Sequence, residues 1–149
     1  MAYIPPDAQW YIADLVEEIR VEDDPRTVIH VNTVLVRADS PDEAHERATA
    51  LGQQHSLPSH ENPDGKRVTT RFRGLAQLNV IHEPLEHGAE LTFREVVTST
   101  ASSAIRGLVR RRDRLAVFSK TARTRNRPDY SSREIMDAAR ALVRKGPAD

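Results

Sequence analysis

Two long runs of alternating apolar and polar residues commit much of this chain to an antiparallel sheet. In WYIADLVEEIRVE, Trp10 to Glu22, residues Tyr11, Ala13, Leu15, Ile19 and Val21 recur at period two. Trp10, Asp14, Glu18 and Arg20 share the other phase, with Ile12 and Val16 among them. Period two sends successive side chains to opposite faces of a sheet, so the segment reads as a half-buried strand. A second strand, Thr27 to Ala38, is rich in Val, Ile and Thr, which suit a pleated surface. Asp23-Asp24-Pro25 between them is a turn signal, and the short connection predicts an antiparallel hairpin.

Ser40-Pro41-Asp42-Glu43 announces a helix. Ser40 can cap it, Pro41 suits its first position and Glu43 completes a capping box. Ala44, Ala48 and Leu51 give a narrow apolar stripe, and Gly52 is expected as a left-handed residue that ends the helix. Residues 53–65, with Pro58, Pro63 and Gly65, read as a mobile loop. A third strand is expected from Lys66 to about Leu75, with Val68, Thr70 and Phe72 opposed to Arg67, Thr69, Arg71 and Arg73. A short strand at Leu78–Ile81 and a further one at Ala89–Val97, after a turn at Pro84–Gly88, complete the body. The expected fold class is α+β: an antiparallel sheet with a β-β-α-β-β core and one packed helix.

Charge divides the chain a second way. Residues 1–100 hold 17 Asp/Glu against 9 Lys/Arg, and residues 101–149 hold 5 against 13. A neutral total therefore joins an acidic body, expected over residues 8–98, to a basic Arg-rich helical extension, residues 99–149. Ile105, Leu108, Val109 and Leu115 have near-helical spacing, and Arg106, Arg110 and Arg114 would make a basic stripe on the same helix. Phe118 to Tyr130 is polar and lacks apolar periodicity, so this part is expected to be disordered alone. Ser131 and Glu134 form another capping box before a stripe of Ile135, Met136, Ala139, Leu142 and Val143.

Several chemistries are excluded or weakened. There is no cysteine, which removes disulfides, thiolate catalysis and Cys-based metal sites. Asn62-Pro63-Asp64-Gly65-Lys66 lacks the leading glycine of a phosphate loop, and Arg67 stands where Ser or Thr is required. In His82-Glu83-Pro84-Leu85-Glu86-His87 the second histidine falls one position too late for a zinc-protease helix, which Pro84 would also break. His82, Glu83, Glu86 and His87, with Glu90, remain candidate metal ligands from a turn. A polar, solvated turn is the competing reading. His30, between Ile29 and Val31, reads as a sheet residue rather than a base. Arg71 and Arg73, two apart on one strand, are placed for cross-strand ion pairs or for a small-anion site.

The blocks WYIADLVEEIRVE, RADSPDEA and FRGLAQLNVIHEPLEHGAEL, in this order and spacing, resemble the bacterial family catalogued as domain of unknown function 4288. The resemblance covers about residues 10–97 and leaves out the Arg-rich extension. It implies one folding unit there and carries no catalytic residues or activity.

The expectations for function follow from charge. Arg106, Arg110, Arg111, Arg112, Arg114, Lys120, Arg123, Arg125 and Arg127 face one acid, Asp113, between residues 106 and 127. The segment is expected to dock on an acidic protein surface, in a non-catalytic and homo-oligomeric assembly module. Nucleic acid or another polyanion is the alternative partner, although Phe118 is the only aromatic from Ala101 to Arg127, which leaves little base stacking. A small metal-dependent enzyme at His82–His87 is the third class. No cofactor is implied. No apolar run approaches the ~20 residues that span a bilayer, so no membrane partner and a cytoplasmic location are expected.

Overall fold

A computed structural model describes residues 3–56, 58–118 and 126–145. Its centre is strand β1, Trp10–Val21. A turn with Asp23 at φ 61° returns the chain as β2, Thr27–Arg37. Asp24 holds the turn, its carboxylate accepting from the Arg26 guanidinium at 2.8 and 3.0 Å and from the Arg26 backbone N–H at 2.9 Å. Those bonds, the guanidinium's first, lower the Asp24 pKa to about 2. β1 and β2 pair antiparallel in unbroken register, from Trp10 opposite Arg37 to Arg20 opposite Thr27.

Helix α1, Pro41–His55, begins as its sequence requires. Ser40 Oγ accepts from the Glu43 N–H at 3.1 Å, and the Glu43 carboxylate accepts from the Asp39 N–H at 2.7 Å. The helix runs three residues beyond Gly52, so the expected glycine cap is corrected. Gly52 is buried because the Phe72 ring lies against it. A β-carbon there would fall 2.3–2.5 Å from three ring atoms. Close approach of helix and sheet, not a left-handed terminus, demands glycine here.

The expected mobile loop contains a two-residue strand, β3, His60–Glu61. Strand β4, Arg67–Val80, follows without interruption, so the two strands expected between Lys66 and Ile81 are one. The sheet order is β2-β1-β4-β3, antiparallel throughout. Two register shifts explain why the sequence broke this strand in two. Asp14 and Leu15 oppose Gln77 and Leu75, and Val16 and Glu17 oppose Gly74 and Phe72. Ala76 and Arg73 are therefore extra residues on β4, and each such bulge flips the alternation. The side chains facing α1 are Val68, Thr70 and Phe72, then Leu75, then Leu78 and Val80.

One core lies under α1, formed by Tyr11, Ala13, Leu15, Val36, Ala38, Ala44 and Ala48, with Leu51, Phe72, Leu75 and Leu78 against it. A second, smaller cluster of Ile19, Val21 and Val68 is closed by Val28 and by Tyr130. By internal contacts the chain falls into two units, one of residues up to Thr92 plus those from Arg127 on, the other Phe93–Asn126. The expected strand at Ala89–Val97 does not form: residues 89–98 pair with no strand among the described residues. In the second unit α2, Ala101–Leu108, ends before Arg110, and a single 3₁₀ turn covers Arg112–Arg114. Arg106, Arg110 and Arg114 therefore do not share one helix. Helix α3, Arg133–Lys145, starts one residue later than the expected capping box, on Ser132. The Ser132 hydroxyl accepts from the Ile135 N–H at 3.4 Å, while Ser131 Oγ donates to Asp129 Oδ1 at 2.6 Å.

Replacing Gly52 by valine should cost about 1–3 kcal/mol in urea denaturation through overpacking against Phe72. Alanine should cost less, because its helix propensity returns roughly 1 kcal/mol. Combining Gly52→Val with Phe72→Leu should recover part of the loss; strict additivity would show that the ring is not what Gly52 accommodates.

Candidate interaction surfaces

The two long flanks of the sheet are treated differently by the sequence. Beyond Val68, β4 has no strand on its outer side among the described residues, since β3 pairs only with Arg67 and Val68. That flank carries two bulges, and side chains satisfy some of its backbone: Ser56 Oγ accepts from the Phe72 N–H at 2.8 Å, and Gln77 Oε1 from the Leu78 N–H at 3.1 Å. Bulges and side-chain cover are devices that discourage strand addition. The other flank, β2, has no bulge and side-chain cover only at its end. It is eleven residues long, without proline, lysine or bulge. Among the described residues its backbone receives one side-chain bond, from Arg47 Nη1 to the Arg37 carbonyl at 2.8 Å.

The sheet face turned away from α1 is half apolar and half charged. On the β2 side Ile29, Val31 and Leu35 are 65, 55 and 45% exposed, beside Glu18, Val16 and Ile12 respectively. Towards β4 the face becomes ionic. Glu18 accepts from Arg20 Nε, lies 3.6 Å from Arg73 Nε and stands opposite Arg71. The Arg20 hydrogen bond, then the charges of Arg20, Arg73 and Arg71, hold the Glu18 carboxyl below its usual range. Asp14 accepts from Thr33 Oγ1 at 2.6 Å. Although Arg73 is a bulge residue, it and Arg71 both reach the charge of Glu18, an arrangement that partly neutralises the proposed small-anion site.

On the α1 side the sheet carries a C-terminal latch that sequence reasoning missed. Pro128 is buried and Tyr130 half-buried, in a stretch expected to be unstructured. The Asp129 carbonyl accepts from Asn62 Nδ2 at 2.8 Å, and the Tyr130 carbonyl lies 3.0 Å from His60 Nε2. Asn62 is itself buried, its Oδ1 accepting from the N–H groups of Asp64 and Lys66 at 3.0 and 2.9 Å. The Tyr130 ring meets His30 of β2 edge-on at 5.3 Å, and Arg127 stacks over the same ring at 5.0 Å. Arg133 lies 3.6 Å from the Glu61 carboxylate and donates to the Pro63 carbonyl at 3.3 Å. Beside this latch, Glu17 is buried with one oxygen 3.1 Å from His55 Nδ1. Glu17 shares the parity of Leu15 and Ile19, and that phase was the available signal for its burial.

The arginine-rich segment lies mostly in the second unit. Arg111 pairs with Asp113 at 2.8 Å, and Arg112 stacks over Phe118 at 3.9 Å. The side chains of Arg106, Arg110 and Arg114 have no hydrogen-bond or ion-pair partner among the described residues. Lys120, Arg123 and Arg125 lie outside the described residues. The large apolar side chains Phe93, Val96, Val97, Ile105, Leu108 and Val117 of this unit are all exposed. His82, Glu83, Glu86 and His87 form a turn in which the Glu83 carboxylate accepts from the Glu90 N–H at 2.7 Å. Among the described residues no three His, Asp or Glu side chains are grouped to hold a metal ion. Nor is any described helix long and apolar enough to cross a membrane.

A sheet of this order, with α1 on one face and residues 10–80 supplying every strand among the described residues, is the unit that a family comparison covers. The chain belongs to the DUF4288 family. The family's description is a domain of unknown function, and its model matches residues 10–93 of this chain. No curated protein and no solved structure matches. The DUF4288 match ends where the second unit begins, so the arginine segment and the latch lie outside it.

Tyr130→Ala should destabilise the domain by about 2 kcal/mol, less than the roughly 3–5 kcal/mol of a fully buried aromatic. Amide exchange at Glu61 and Asn62 should accelerate with it. Unchanged exchange there, with unchanged denaturation, would show that the latch does not support β3.

Proposed function

We propose that this DUF4288 domain is a non-catalytic assembly module that associates with copies of itself along β2. The carrying observation is the contrast between the flanks: β4 is bulged and partly capped, whereas β2 offers an unbroken eleven-residue edge beside exposed Ile29, Val31 and Leu35. A long, regular, apolar edge is a template for a further strand, and proteins that must stay monomeric blunt such edges. The second unit adds support. Its apolar side chains are exposed and three of its arginines lack a partner among the described residues, which suits docking on an acidic protein surface in the assembly. A cytoplasmic setting agrees with the absence of cysteine.

Light scattering across protein concentration tests this reading. The wild type should exceed the mass of one chain, and Val31→Lys should lower the mass without lowering the melting temperature. A wild type that stays monomeric from micromolar to near-millimolar concentration would end the proposal.

Arg106, Arg110 and Arg114, without a partner among the described residues, favour one second reading, polyanion binding. Fluorescence anisotropy with mixed-sequence DNA and RNA should then show affinity that falls steeply with salt. Replacing the three by glutamate should abolish it. Binding that persists in that variant would assign the contact elsewhere.

A further inference from the structure

We infer that two copies join antiparallel through β2 about a two-fold axis at Asn32, making one continuous eight-stranded sheet. The inference rests on the assembly reading above and adds the surface, the partner and the register. A two-fold interface must be self-complementary, because each residue meets the symmetry-related position of its own sequence. β2 meets that requirement about Asn32: Val28 falls opposite Val36, Ile29 opposite Leu35, His30 opposite Val34 and Val31 opposite Thr33.

Shifting the axis to Thr33 keeps Val31 against Leu35, but sets Ile29 against Arg37 and Asn32 against Val34. Shifting it to Val31 keeps Val31 against itself and Val28 against Val34, but sets Ile29 against Thr33 and Thr27 against Leu35. Directly opposed apolar pairs are what stabilise adjacent strands, and within β2 the Asn32 register opposes four of them, against three for the Val31 axis and two for the Thr33 axis. It keeps Asn32 beside its own copy, where two side-chain amides can donate to and accept from one another.

Charge agrees at the ends. Each end of this seam gathers Asp24 and Arg26 of one copy with Arg37 and Asp39 of the second, two acids and two bases with no net charge. His30 is the only other titratable side chain on the strand. It is occupied on the α1 side by the edge contact with Tyr130. On the opposite face the seam extends the apolar strip of Ile29, Val31 and Leu35 across the axis into its copy.

The chain has no cysteine, so a single introduced thiol reads the register directly. Opposed residues in antiparallel strands have Cα atoms roughly 4.5–5.5 Å apart, inside the ~4.4–6.8 Å range of disulfides. Full-length Asn32→Cys, oxidised mildly at micromolar concentration, should give a covalent dimer. Val31→Cys and Thr33→Cys should each cross-link roughly tenfold more slowly alone, yet join each other when mixed, because only opposed positions meet that geometry. Circular dichroism of each variant confirms that it is folded. A wild type of dimer mass whose Asn32→Cys variant does not cross-link overturns this seam and leaves the assembly reading standing. Self-linking of Val31→Cys or Thr33→Cys at the rate expected of Asn32→Cys overturns the register. A monomeric wild type with no cross-link at any position overturns both.

Discussion

Strand β1 buries Tyr11, Ala13, Leu15, Ile19 and Val21 on one face, and twelve residues of strand extend about 40 Å. Helix α1, at fifteen residues, is only about 22 Å long. A single helix of that length cannot cover the whole apolar face. It covers the end at Tyr11 to Leu15, where Ala44 and Ala48 let it approach closely and Gly52 admits the Phe72 ring. The end at Ile19 and Val21 needs a second cover, and Tyr130 supplies it. The C-terminal segment is thus part of the fold for the same reason that α1 is: apolar area on β1 that would otherwise face water.

Glu17 sits between these two covers. A buried carboxylate is costly unless it is hydrogen-bonded, and His55, in the last turn of α1, lies within reach of it. The latch also changes what the arginine-rich segment is. Phe93–Asn126 is a chain excursion whose neighbours on both sides, Thr92 and Arg127, belong to the unit that holds the sheet.

The parts of this architecture that were legible in the sequence are those fixed by local rules. Period-two alternation gave β1 and β2, and Ser40-Pro41-Asp42-Glu43 gave the start of α1. Failures came where tertiary contact overrode a local signal. Gly52 looks like a terminus and is a contact point. Arg73 and Ala76 break the alternation of β4, so one strand read as two. Ala89–Val97 has strand composition but pairs with no neighbour among the described residues, and a strand exists only by pairing. Pro128 and Tyr130 stand in polar sequence, and their docking depends on Asn62 and His60, nearly seventy residues away. Among the site residues, Arg71 stands opposite Glu18 of β1 and Arg73 lies 3.6 Å from its carboxylate. The stripe of Arg106, Arg110 and Arg114 was not real, because α2 stops at Leu108.

The two covers also bear on β2. Its half near Val36 and Val34 packs into the core beneath α1, and its half near Val28 and His30 is held by Tyr130. An edge strand anchored at one end only would fray, and fraying lowers the affinity of any strand added to it by the cost of re-ordering the edge. Anchored along both halves, β2 keeps its outer edge regular without using that edge for its own stability. The same geometry explains why bulges appear on β4 and not on β2. β4 must follow α1 closely at Phe72 and change phase to bring Leu75 and then Leu78 beneath the helix, whereas β2 keeps strict alternation against β1. Packing on the inner face therefore fixes which flank of the sheet is regular enough to receive a partner.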